Sequence, residues 1–179
     1  MNIRDFALIA LFIALVAVAT MIIRVPIPQT NGYMNLGDSI VLLGGVFFGP
    51  VMGFMVGGLG SALADILGGY PQWALWTLII KGVEASLAAI LISILKLDRD
   101  NLKPIVIFGF IICFFVATVW MVAGYYIAET IMYDQKAALA ELPANLLQAG
   151  GSIVLAIFML PLFHKIIKPI KDKAGIQPR

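Results

Sequence analysis

Long apolar runs, broken at short polar or Pro/Gly-rich points, set the pattern of this chain. The first runs from Asp5 to Ile23 and stops at Val25-Pro26-Ile27-Pro28. A second, Leu36 to Phe48, and a third, Val51 to Leu67, are divided by Gly49-Pro50, a dipeptide that signals a tight turn. Trp73–Leu95, Pro104–Ala128 and Leu142–Ile167 complete the series. A bilayer-crossing helix needs ~17–25 mostly apolar residues, so the last three runs are full length while the second and third are short. The runs are continuous rather than alternating with period two, which favours helices over a barrel. The pattern predicts an all-α polytopic membrane protein: one domain over residues 1–179 with six transmembrane helices.

Composition strengthens this reading. Apolar residues make up 61% of the chain without counting Gly, and charged residues only 12%. Soluble domains average ~45–50% and ~25%, and a fold of this size leaves too much of its chain in water to hide the difference. Mean hydropathy is +1.01. Soluble enzymes, nucleic-acid binders and disulfide scaffolds are excluded, and Cys113, alone in an apolar run, is read as a small buried hydrophobe. The net charge of +2 is too small to call for a polyanionic partner.

Where the charges sit says more. With six spans, Arg4, Lys96, Arg99, Lys103, Lys165, Lys168, Lys171, Lys173 and Arg179 fall on the side of the termini, nine residues against two, Arg24 and Lys136, on the other. The positive-inside rule then predicts that both termini are cytoplasmic. Phe6–Val16 followed by Ala17-Val18-Ala19 has the outline of a cleavable signal. Its loss would leave five spans and spoil the charge pattern, so it is read as a retained helix.

Polar and aromatic residues gather at the outer ends of the spans. Four ionisable residues, Asp38, Asp65, Lys81 and Glu84, fall within them and are functional candidates because charge in hydrocarbon is costly. Lys81 and Glu84 are three apart and within reach on one helix, and Asp65 is expected to meet Lys81 across the bundle. Mutual neutralisation is the plain alternative for these three, and helix capping for Asp38. Trp73, Trp76, Tyr125 and Tyr126 serve either as interfacial belt or as cup walls. Asn145 and Gln148 share a face; Arg24, Glu129 and His164 read as interfacial. Small residues at Ala10 and Ala14, and at Gly53, Gly57 and Ser61, mark faces for close helix approach. No HExxH, GxSxG or Walker loop is present, so the chain has no ATPase machinery of its own.

The block Asn35-Leu36-Gly37-Asp38-Ser39-Ile40-Val41-Leu42, Phe48-Gly49-Pro50, Gly57 through Asp65, Gly68-Gly69-Tyr70 and Thr77 through Gly82 resembles the S component of energy-coupling factor (ECF) vitamin transporters. It is most similar to the hydroxymethylpyrimidine- and pyridoxine-type branch. The resemblance implies a six-helix subunit in a bacterial or archaeal plasma membrane, which captures a vitamin or precursor from outside. It further implies a membrane T component and two cytoplasmic ATPases as partners, with Ala10 and Ala14 contacting the T component. Asn35, Asp38, Asp65, Trp73, Trp76, Thr77, Lys81, Tyr125, Asn145 and Gln148 are the expected substrate contacts. No catalytic residue, cofactor, metal or nucleic-acid partner is expected. Pantothenate or riboflavin are alternative solutes, and the loop Arg24–Asn35 is a candidate lid. From other classes, an intramembrane enzyme acting on a lipid or isoprenoid and a stand-alone assembly protein compete.

Overall fold

In the computed structural model, which describes residues 3–22 and 24–174, the chain order is α1 (Ile3–Ile22), β1 (Arg24–Ile27), β2 (Gly32–Asn35), α2 (Asp38–Gly68), α3 (Ala74–Ile94), α4 (Pro104–Met132) and α5 (Gln135–Ala174). Ile23 and Arg179, and the side chains of Arg4, Lys171 and Lys173, lie outside that description. All five helices are long and apolar enough to cross a membrane. The exterior is accordingly greasy: Phe158 is 81% exposed and Ile105 72%, which suits lipid rather than water as the solvent.

The helix α2 is not one rod. Gly49 has φ 77° and ψ −177°, a region essentially restricted to glycine, and Pro50 then starts a new helical leg as proline does well at a first helical position. Residues 41 and 57 of a straight helix would stand about 24 Å apart. Here a Cβ on Gly57 would lie 2.9 Å from Val41 Cγ1, and one on Gly53 2.9 Å from the Gly45 Cα. The legs 38–48 and 50–68 therefore fold back on each other as an antiparallel helical hairpin, as the Gly49-Pro50 break predicts.

Glycine also explains how tightly the legs pack on α3. Cβ atoms at Gly45, Gly57 and Gly58 would meet the carbonyl oxygens of Ala85, Lys81 and Leu78 at 2.3, 2.7 and 2.6 Å. Gly60 sits equally close to Val16 of α1. The Gly53/Gly57/Ser61 face is thus internal packing. Ala10 and Ala14, by contrast, lie on the exposed face of α1. A core running through Phe12, Val41, Leu42, Leu43, Val56, Phe110, Cys113, Phe114 and Leu160 fills the interior, with Cys113 fully buried.

The two ends of the bundle differ. At one, Arg99 donates to the Val46 carbonyl at 2.6 Å, and His164 and Lys168 meet Asp100 at 2.8 and 2.5 Å. Hydrogen bonding from Lys168, with His164 beside it, holds the Asp100 carboxyl below its ordinary range. His164 is therefore tied to Asp100 in the connection between α3 and α4. At the other end β1 and β2 pair antiparallel, with Arg24 opposite Asn35 and Ile27 opposite Gly32. This corrects the expected loop. Val25-Pro26-Ile27-Pro28 is biased to extended backbone, proline is tolerated on an edge strand, and Asn31 (φ 47°) supplies the left-handed turn residue.

Gly45→Ala should force α2 from α3, at a cost of roughly 1–3 kcal/mol as overpacking. Gly150→Ala, where nothing lies within 4 Å of the new Cβ, should be neutral. Thermal unfolding of the two purified variants in one detergent checks the contrast.

Candidate functional site

Lys81 lies in the hairpin-side half of α3 and is only 1% exposed. Its Nζ is 2.5 Å from Asp38 Oδ1 and 3.5 Å from Glu84 Oε2. Asp38 is held from its other side by Gln148, whose Nε2 donates to Oδ2 at 2.8 Å. Gln148 Oε1 in turn accepts from the Asn35 backbone N–H at 2.7 Å. A single network thus ties the end of the β-hairpin, the start of α2, α3 and α5 together.

A second set of contacts closes the hairpin over the bundle. The Tyr33 hydroxyl donates to Asp65 Oδ1 at 2.5 Å, and the Thr30 hydroxyl donates to Glu141. Trp73 Nε1 donates to the Asn31 carbonyl at 3.2 Å, and Arg24 to the Gly68 carbonyl at 3.2 Å. Burial, with the Asp65 charge beside it, pushes the Tyr33 phenol well above its ordinary range, so it stays a donor throughout the physiological pH range. Arg24 also lies over the Tyr33 and Tyr70 rings at 5.6 and 5.9 Å.

Beneath the hairpin these groups enclose a narrow cavity of about 20 Å³, room for about one water molecule. Of the ten expected substrate contacts, Asn35, Asp65, Trp73, Thr77, Lys81, Tyr125, Asn145 and Gln148 line it together, drawn from β2, the last turns of the helical hairpin's second leg, the cap of α3, and α3, α4 and α5. The Tyr125 hydroxyl donates to Thr77 at 3.2 Å, and its ring lies 5.1 Å from Lys81 Nζ. Asp38 stands behind Lys81 rather than on the wall, and Trp76 packs half-buried beside the Trp73 cluster.

Three expectations need correction. Asp38 makes no capping bond to the helix; Gly37 is the cap, and the Asp38 side chain turns inward to the ammonium. The cross-bundle partner of Lys81 is consequently Asp38, while Asp65 is taken by Tyr33. Glu129 is not interfacial but fully buried, accepting from Asn145 at 3.0 Å. Tyr33, Thr20, Ser61 and Glu141 also line the cavity and were not anticipated. Glu141 had a readable signal, since it precedes Asn145 by four and Gln148 by seven residues, one face of a helix.

Residues 1–168 match the family described as "ECF-type riboflavin transporter, S component". A protein of Pyrococcus woesei, called "Uncharacterized protein in gap 3′region", is 37% identical over 157 residues, covering 88% of this chain and 99% of its own. The "Thiamine precursor transporter HmpT" of Lactococcus lactis subsp. cremoris is 27% identical over 176 residues, 98% of this chain and 92% of its own. A "UPF0397 protein" of Streptococcus pneumoniae is 28% identical over 117 residues, 64% of this chain and 63% of its own.

Removing one partner of a buried ion pair leaves the other charge stranded, typically at about 3–5 kcal/mol. Lys81→Met should therefore lower the unfolding temperature sharply. Adding Asp38→Asn to it, which keeps an acceptor for Gln148, should recover part of the loss. A double-mutant cycle on thermal unfolding reads the coupling, and additivity would contradict the pairing.

Proposed function

Because the chain belongs to the ECF-type riboflavin transporter S component family, we propose that it is the solute-capturing subunit of a vitamin importer, taking a small vitamin or vitamin precursor at the outer face of the membrane. Hydroxymethylpyrimidine or pyridoxine is the first expectation; the relative named a thiamine precursor transporter, similar over nearly the whole chain, supports the first of these. Riboflavin, named in the family description, is the alternative solute.

The observation that carries this reading is the polar, aromatic cavity closed by the β-hairpin. Trp73, Tyr33 and Tyr125 offer ring faces, and Asn35, Asp65, Thr77, Lys81, Asn145 and Gln148 offer groups that orient a ring. With room for about one water, the cavity admits a heterocycle only if the hairpin lifts. The contacts that hold it, Thr30 to Glu141, Tyr33 to Asp65 and Trp73 to Asn31, are hydrogen bonds that can be exchanged for water or solute at small net cost.

Six crossings with both chain ends cytoplasmic is the topology this reading takes. The reversal of α2 at Gly49 supplies the sixth segment, and the nine-to-two division of basic residues supplies the orientation. A plasma membrane of a bacterium or archaeon is then the setting. Uptake is driven by partners, a T component and two ATPases, since this chain has no nucleotide-binding motif. The exposed Ala10/Ala14 face of α1 is the surface offered to the T component, where small side chains allow close helix approach.

Radiolabelled uptake in cells co-producing the chain with a T component and two ATPases tests the proposal. Wild type should accumulate the bound vitamin. Ala14→Trp should leave binding to purified protein intact while reducing uptake to background. Undiminished uptake by Ala14→Trp would remove this face from coupling, and no uptake or binding of any vitamin by folded protein would remove the transport reading.

A further inference from the structure

The donors and acceptors around the cavity are out of balance, and the imbalance has a direction. Among the described residues, five carboxylates are buried, Asp38, Asp65, Glu84, Glu129 and Glu141, against one buried cation, Lys81. That ammonium is already engaged by Asp38 and Glu84. Arg24, at the rim, is turned onto the Gly68 carbonyl and two tyrosine rings.

Four neutral donors are engaged too. Gln148 Nε2 is given to Asp38, Asn145 Nδ2 to Glu129, the Tyr33 hydroxyl to Asp65, and the Tyr125 hydroxyl to Thr77. Lys81 Nζ, ion-paired but without a hydrogen bond, and the Thr20 hydroxyl are unpartnered on the wall, and carboxylate oxygens outnumber them among the buried unpartnered atoms. Asp65 Oδ2, Glu84 Oε1 and Glu129 Oε2 are buried without a hydrogen-bond partner. Asp65 is 2% exposed and stands on the cavity wall itself, as does Glu141. Unpaired carboxylate in such a place is costly until a donor or cation reaches it.

We propose that the solute is a cation: a small nitrogen heterocycle carrying an ammonium or a protonated ring nitrogen, whose N–H groups point to Asp65 and Glu141 on the cavity wall. This rests on the solute-capture reading and narrows its substrate class. The rings of Tyr33, Tyr125 and Trp73 on the same wall add to the selection, because aromatic faces attract cations as well as flat heterocycles. Carboxylate-bearing and phosphorylated vitamins are selected against by the same charges.

Matched ligands separate charge from shape. Isothermal titration of the full chain in detergent would compare 4-amino-5-aminomethyl-2-methylpyrimidine with its 5-hydroxymethyl twin. Pyridoxamine, pyridoxine and pyridoxal 5′-phosphate form a second series, with thiamine, riboflavin and pantothenate alongside. The amine of a matched set should bind about tenfold tighter or more than its alcohol, as a charge-assisted bond predicts, and the phosphate should not bind. Asp65→Asn, which keeps an acceptor for Tyr33, should bring the amine-to-alcohol ratio towards one without abolishing binding of the alcohol. Glu141→Gln, which keeps an acceptor for Thr30, provides the same readout should Asp65→Asn fail to fold. An alcohol, phosphate or carboxylate that binds as tightly as the amines would overturn the cationic class and leave solute capture standing. Silence from every ligand with protein that shows a cooperative melt would overturn capture itself.

Discussion

An ammonium that is 1% exposed, in a bundle whose outer surface faces lipid, must find its counter-charge inside the protein. Lys81 finds it in Asp38, and that pairing constrains the architecture around it. To place Asp38 beside α3, the first leg of α2 has to start at the hairpin end and run alongside. To leave room for the pair, α2 has to turn back at Gly49 and bring Gly57 against the Lys81 carbonyl. Gln148 then docks α5 onto the same carboxylate and reaches the Asn35 backbone. The hairpin, whose last residue is Asn35, is thereby tied to the ion pair at one end, while Thr30, Asn31 and Tyr33 bond to Glu141, Trp73 and Asp65 and Arg24 bonds to the Gly68 carbonyl.

That asymmetry joins the fold to function. The apolar core between the two ends is built of aliphatic and aromatic side chains. Buried polar side chains are concentrated near the hairpin, where most are held by a specific partner. A lid fixed at Asn35 and latched at Thr30, Tyr33 and Asn31 can swing without disturbing the ion pair. In the proposed capture, latch contacts would be exchanged for solute contacts, and closure would exclude water from a site whose electrostatics strengthen as it dries.

Much of this could be read from residue order because lipid is a stringent solvent. Only long apolar helices satisfy their backbone in it, so the spans, the Gly49-Pro50 reversal and the value of Lys81 followed directly. Eight of the cavity residues were legible for the same reason: polar groups at the outer ends of apolar helices have few uses. The errors arose where partner choice depends on three-dimensional register. A carboxylate at a helix start caps it by default, and no local pattern shows that Asp38 turns to Lys81 instead. Tyr33 lay in a segment whose strand pairing depends on Pro-biased backbone, which fixes extension and not register. Thr20 and Ser61 are small residues read as packing, and only the approach of α1 to α2 brings them to the cavity.

Trp73 fluorescence tests solute capture beneath the hairpin most directly. Trp73 lies on the cavity wall with its Nε1 bonded to the hairpin at Asn31, so its fluorescence reports both solute and lid. In a Trp76→Phe/Trp120→Phe variant, which leaves Trp73 as the sole tryptophan, titration with a panel of vitamins and precursors should give a saturable change for a single chemical class. A flat signal across the panel, from protein whose melt matches wild type, would contradict solute capture beneath the hairpin.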